Sequence, residues 1–121
     1  MKNILESFEE VCKILPNVYK VENNDNYLKI STEILFKKAE NYLNLYILLE
    51  DDYICLSDSN SVYSICDGFY DISEEILLDF ANKVGLDFAD YRFTKIVNLE
   101  NIEEEINKFE KLKDLIESRG F

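Results

Sequence analysis

Twenty-five acidic side chains stand against thirteen basic ones in this 121-residue chain, and there is no histidine. Without imidazole, Ser-His-Asp and Cys-His nucleophile arrangements are excluded, along with histidine metal ligation and imidazole general-base work. Cys12, Cys55 and Cys66 form no CxxC pair. Three separated thiols without histidine do not make a structural zinc site. The three glycines stand at 68, 85 and 120, which excludes GxGxxG and phosphate-loop devices. Asp58-Ser59-Asn60 opens like a calcium loop, but Val62 stands where an oxygen ligand is needed and Tyr63 where the turn needs glycine. Ser57, Ser59, Ser61 and Ser64 cluster beside Asp58 with no base in reach, which reads as turn and cap chemistry. No cofactor and no metal are expected. Carboxylate chemistry stays open, because acid pairs are recognised by their separation in space.

The acids gather in three places. Glu50-Asp51-Asp52 lies between two strand-like runs. Asp67, Asp71, Glu74 and Glu75 surround a turn, and Glu100 with Glu103-Glu104-Glu105 opens the last helical segment. Acids in a first helical turn complement the helix dipole, and Glu104 is spaced for an i,i+4 pair with Lys108. Carboxylates one helical turn apart sit roughly 5–6 Å from each other, near the spacing of phosphates along a strand. Such a row can imitate a nucleic-acid backbone in front of a basic groove. Tyr42, Tyr46, Tyr53, Tyr63, Tyr70 and Tyr91 add amphipathic side chains of the kind that anchor interfaces or half-buried sheets.

The elements that must hold these groups follow from periodicity. Ile4, Phe8, Val11 and Leu15, with Leu5 and Cys12 alongside, predict a helix over 2–15 that Pro16 ends. Residues 18–21 and 27–31 flank the polar turn 22–26 as a hairpin, with 34–36 extending the second strand or starting another. Residues 42–49 and 53–56 bracket the acidic tip as a second hairpin. Both faces of 42–49 are largely apolar, which predicts a central strand covered at least in part on both sides. Asp58 or Ser59 is placed to cap a short helix stopping near Gly68. Ser73 caps another, with Ile76, Leu77, Phe80 and Val84 on one stripe and Gly85 as terminator. Residues 91–97 read as a strand. Asn101 with Glu104 reads as a capping box for a last helix running to about Ser118, closed by Gly120, with Ile102, Ile106, Phe109, Leu112 and Ile116 inside. The expected architecture over 1–121 is a single α+β domain. It has an N-terminal helix, an antiparallel sheet of about four to five strands, helices packed on it and a long C-terminal helix.

A chain of this length buries roughly two-thirds of its unfolded surface and needs no disulfide to hold a core. The odd cysteine count fits reduced, buried thiols. The formal net charge of −12 disfavours direct nucleic-acid binding and attracts basic partners. With early acids and no long apolar run over Met1 to Glu10, no secretory signal is expected there, and the apolar run 43–49 is too short to span a bilayer. The expected location is the bacterial cytoplasm, away from membranes.

From Ile30 to Glu117 the chain resembles an uncharacterised bacterial and phage family, the domain of unknown function eighteen-twenty-eight. The likeness is carried by Tyr42-Leu43-Asn44-Leu45-Tyr46-Ile47 and by Tyr53-Ile54-Cys55-Leu56-Ser57-Asp58, a strand that ends in Leu-Ser-Asp before a helix. Ser59-Asn60 stands where the family pattern continues with Asp-Gly. The resemblance implies an α+β fold and a prokaryotic or phage origin, and it implies no activity.

Charge, size and the missing catalytic groups point to a non-catalytic acidic protein-binding module. In its most specific form this is a phage-type inhibitor, anti-CRISPR or anti-restriction, that blocks a basic nucleic-acid-binding surface of a defence enzyme. The residues expected to carry it are Asp51, Asp52, Glu103 and Glu104, with Tyr46 and Tyr53. An immunity-type protein that neutralises a toxin and a carboxylate-dependent enzyme stay open as alternatives, as does charge that serves only solubility.

Overall fold

The computed structural model describes residues 3–119 and shows the order α1 (Ile4–Cys12), β1 (Val18–Asn23), β2 (Tyr27–Phe36), β3 (Asn41–Leu49), β4 (Ile54–Ser57), α2 (Ser61–Phe69), α3 (Glu74–Val84), β5 (Asp87–Ala89), β6 (Arg92–Ile96) and α4 (Ile102–Arg119). The strands form one antiparallel sheet in the order β1-β2-β3-β4-β6-β5. The fold is α+β, as the element pattern predicts. Six strands replace the expected four to five, because β5 is only three residues long and its single large apolar residue, Phe88, leaves no alternation to read. Gly120, expected to close α4, and Lys2, expected to begin α1, lie outside the described residues.

Pairing of Leu28 with Ile47, Ile30 with Leu45 and Ile47 with Leu56 sets these side chains on one face of the sheet. All four helices meet that face. Leu5 and Phe8 of α1, Val62 and Ile65 of α2, Leu77 and Phe80 of α3, and Ile106 and Phe109 of α4 join it in a single core. Phe8, Phe36, Phe93 and Phe109 are fully buried there, each contributing on the order of 2–3 kcal/mol of apolar transfer. The opposite face carries Tyr27, Lys29, Ser31, Tyr42, Asn44, Tyr46 and Leu48, all exposed or half-buried. The helical layer therefore covers β3 on one side only. The strand is central as expected, but the second apolar face stands open instead of partly covered.

Several local signals shift register. α1 stops at Cys12, and its inward stripe is Leu5, Phe8 and Cys12, with Ile4 39% exposed. Residues 34–36 belong to β2, which runs on through an irregularity between Ser31 and Leu35. α2 passes through Gly68 and ends at Phe69, where Tyr70 turns extended. Ser73 accepts from the Ile76 N–H and caps α3, and Gly85 at φ 86° ends it in the left-handed conformation. The box before α4 lies three residues earlier than the spacing predicts. Asn98 Oδ1 accepts from the Asn101 N–H at 2.9 Å while Asn101 Oδ1 accepts from the Asn98 N–H at 2.8 Å. Two asparagines make the reciprocal pair as readily as a serine and a glutamate, since each amide oxygen only has to accept one N–H.

Candidate protein-docking surface

The β3–β4 hairpin ends on a tight tip. The Glu50 N–H donates to the Tyr53 carbonyl at 2.9 Å, leaving Asp51 and Asp52 exposed at the apex. Alternation along β3 explains the flanks. Leu49 continues the buried series Leu43, Leu45, Ile47 beyond the end of the helical layer, and it is 44% exposed. On the neighbouring strand, Ile96 ends β6 and Val97 returns to the core, its N–H donating to the Ile54 carbonyl. The chain then enters the Asn98–Asn101 box and α4.

These pieces meet in an open groove of about 600 Å³ between the hairpin tip and the start of α4. Exposed Leu49, Tyr53, Ile96 and Ile4 supply its apolar surface, and Glu50, Asp51 and Asp52 rim one side. Asn98 and Asn101 border the other side. Glu103 and Glu104 follow Asn101 in the first turn of α4, both exposed. The structure thus joins Asp51, Asp52 and Tyr53 in one groove and sets Glu103 and Glu104 on the helix that borders it. Tyr46 lies elsewhere. It is half-buried on the open sheet face, its ring 6.0 Å from that of Tyr27. Leu49, Ile96 and Ile4 escape a reading of the sequence, because their exposure depends on where the helical layer stops.

Among the described residues, no lysine or arginine forms an ion pair with Glu50, Asp51, Asp52, Glu103 or Glu104. The expected Glu104–Lys108 pair is replaced by Lys108 Nζ bonding Glu105 Oε1 at 2.7 Å, with both groups largely buried against the turn at Gly85. The other ion pairs, such as Glu9–Lys13, Asp79–Lys83 and Lys113 with Glu110 and Asp114, lie on other segments. An apolar patch with a charged rim is the anatomy of a protein interface.

A second acidic cleft of about 280 Å³ gathers Glu74, Glu75 and Asp90 around Leu78, Phe88 and Tyr91. Tyr91 packs against Tyr63 with ring centroids 4.5 Å apart. Desolvation, and behind it the charge of Asp67, raises the Tyr63 phenol above its ordinary range. Asp90 and Tyr91 both hold positive φ, 54° and 64°, in the β5–β6 turn, a conformation that favours Asn-Gly.

Asp58 is wholly buried and ties the loop before α2 to β6. Its Oδ1 accepts from the Phe93 N–H at 2.9 Å and the Asn60 N–H at 3.2 Å, and its Oδ2 accepts from the Val62 N–H at 3.0 Å. Burial pushes its carboxyl up to about 6 against the pull of those donors. All of its acceptor contacts are backbone N–H groups of the fold, so its role is structural. Cys12, Cys55 and Cys66 are free and buried, and burial pushes the first and last up to about 12. Among the described residues no group of three Cys, Asp or Glu side chains is placed to hold a metal ion, and no helix is long and apolar enough to cross a membrane. No family model, curated protein or solved structure matches the chain.

Proposed function

We propose that the protein is an acidic docking module that binds a basic protein through the end of the molecule formed by the β3–β4 tip and the start of α4. The observation that carries this reading is the convergence of Asp51, Asp52 and Tyr53 with exposed Leu49 and Ile96 in one groove beside the first turn of α4. Carboxylates around the rim steer a cationic partner and set its orientation, while the apolar surface and Tyr53 supply the contact that is desolvated on docking. In its most specific form the partner is a nucleic-acid-handling defence enzyme. The acids of the tip and of α4 then occupy the sites where its basic groove holds phosphates, and the protein acts as a phage-type inhibitor.

The test is capture of partners from a bacterial host lysate by the intact chain and by a variant carrying Asp51→Asn, Asp52→Asn, Glu103→Gln and Glu104→Gln. The partner captured by the wild type is expected to bind the variant at least about tenfold more weakly, with a shallower salt dependence. An affinity and a salt dependence that do not change would overturn the proposal. A captured partner without a basic surface would do the same.

A further inference from the structure

The open face of the sheet carries a site of different chemistry, built where two strand irregularities coincide. In β1, Val18 pairs with Thr32 and Lys20 with Ser31, so Tyr19 is left without a cross-strand partner. In β2, Ser31 pairs with Asn44 and the next pair is Leu35 with Tyr42, so Thr32, Glu33 and Ile34 stand against Leu43 alone. Thr32 Oγ1 closes part of that gap by donating to the Leu43 carbonyl at 2.6 Å and accepting from the Ile34 N–H at 3.2 Å. Bulges re-aim side chains and gather near binding sites. Here they open a cleft of about 340 Å³ between Tyr19, 75% exposed, and Tyr42, 57% exposed, with Ser31, Thr32 and Asn44 completing the lining.

A second cleft of about 240 Å³ adjoins the first and shares Tyr42 and Asn44 with it. Asn41, Asn60, Ser61 and Ser64 extend the lining toward α2. None of the described residues lining either cleft is charged, on a chain of net charge −12. Among the described residues, the side chains of Ser31, Asn41, Asn44 and Ser61 make no hydrogen bond within the chain, although Ser31, Asn44 and Ser61 are half-buried. Amides and hydroxyls both donate and accept. A ligand that uses them fully must do the same, carry no charge and present apolar faces to the tyrosine rings.

We infer that the paired clefts around Tyr42 bind a neutral oligosaccharide. Sugar hydroxyls match the mixed donor and acceptor set, and the C–H faces of the rings lie against Tyr19 and Tyr42. A proline-rich peptide would also find aromatic walls, but its tertiary amides only accept and would leave the serine and asparagine acceptors unused.

The test titrates the 15N-labelled full chain separately with maltohexaose, cellohexaose, chitohexaose and a decaproline peptide. At least one hexasaccharide is expected to shift the amide signals of Tyr19, Ser31, Tyr42, Asn44 and Ser61. Tyr42→Ala and Asn44→Ala are each expected to weaken that sugar about tenfold while leaving the thermal unfolding midpoint in place, because neither side chain belongs to the core. Asp51→Asn with Asp52→Asn is expected to leave sugar binding unchanged, which separates this site from the acidic groove. Silence with all three sugars, shifts that map to another surface, saturation by decaproline alone, or a Tyr42→Ala variant that binds as tightly as wild type would each overturn the inference.

Discussion

Replacing Asp58 by Asn tests the energetics of the buried loop anchor. In the folded chain burial raises the Asp58 carboxyl from 3.8 to about 6, so the folded state holds a proton that the unfolded state has released between those values. The native state then binds more protons than the unfolded one, and stability falls as pH rises through the window from about 4 to about 6. A window about 2 pH units wide corresponds to about 3 kcal/mol in total, of which about 1.4 kcal/mol is lost above pH 5. That upper part stays clear of the chain's pI of about 4.3. The substituted asparagine cannot ionise, and its Oδ1 still accepts from the Phe93 and Asn60 N–H groups. Its NH2 faces the Val62 N–H, which loses its acceptor at a cost of about 1–3 kcal/mol. At pH 5 the variant is therefore expected to be the less stable protein. By pH 7.5 the gap should have narrowed by about 1.4 kcal/mol, because only the wild type has lost stability. Urea unfolding followed by circular dichroism at both pH values measures the gap directly, and taking the difference cancels titration of the other acids. A gap that is constant with pH would refute the reasoning. It would mean that the three N–H donors hold the carboxyl in its ordinary range against burial.

Four further outcomes are expected. Gly85→Ala should lower stability by about 1 kcal/mol, because φ 86° suits only glycine without strain and the new Cβ would come within 3.4 Å of Lys108 Nζ; chemical denaturation reads this. Thr32→Val should cost about 1–3 kcal/mol by leaving the Leu43 carbonyl and the Ile34 N–H without their hydroxyl partner inside the core, again by denaturation. Cys12 and Cys66, buried and pushed up to about 12, should resist a thiol-reactive dye at pH 8 in the native protein and label fully in denaturant; rapid native labelling of both would contradict their placement. The fourfold acid variant of the tip and α4 should unfold within about 1 kcal/mol of wild type, since the lost dipole interaction of Glu103 and Glu104 in the first turn of α4 and the relieved like-charge repulsion act in opposite directions; chemical denaturation reads this.

Much of the architecture was legible from local patterns. Period-four stripes located α3 and α4, Ser73 and Gly85 marked the ends of α3, and two polar tips between alternating runs marked the hairpins, because each of these signals acts within a few residues. The acids at the hairpin tip and in the first turn of α4 were legible for the same reason. Their meeting in one groove was decided by tertiary structure, since β6 had to return beside β4 before Asn98 could reach the hairpin. Lys108 shows the same limit on a smaller scale: either Glu104 or Glu105 is within reach along the helix, and packing against the Gly85 turn selects Glu105. The open sheet face was decided in space as well. Tyr42, Tyr46 and Leu48 carry enough apolar surface for a second layer, yet every helix spends its apolar stripe on the other side. Residue types thus determined the local elements and excluded imidazole chemistry. Which face stays uncovered, and which side chains share a cleft, depend on contacts between segments far apart in the chain, and spacing along one strand or helix carries no record of them.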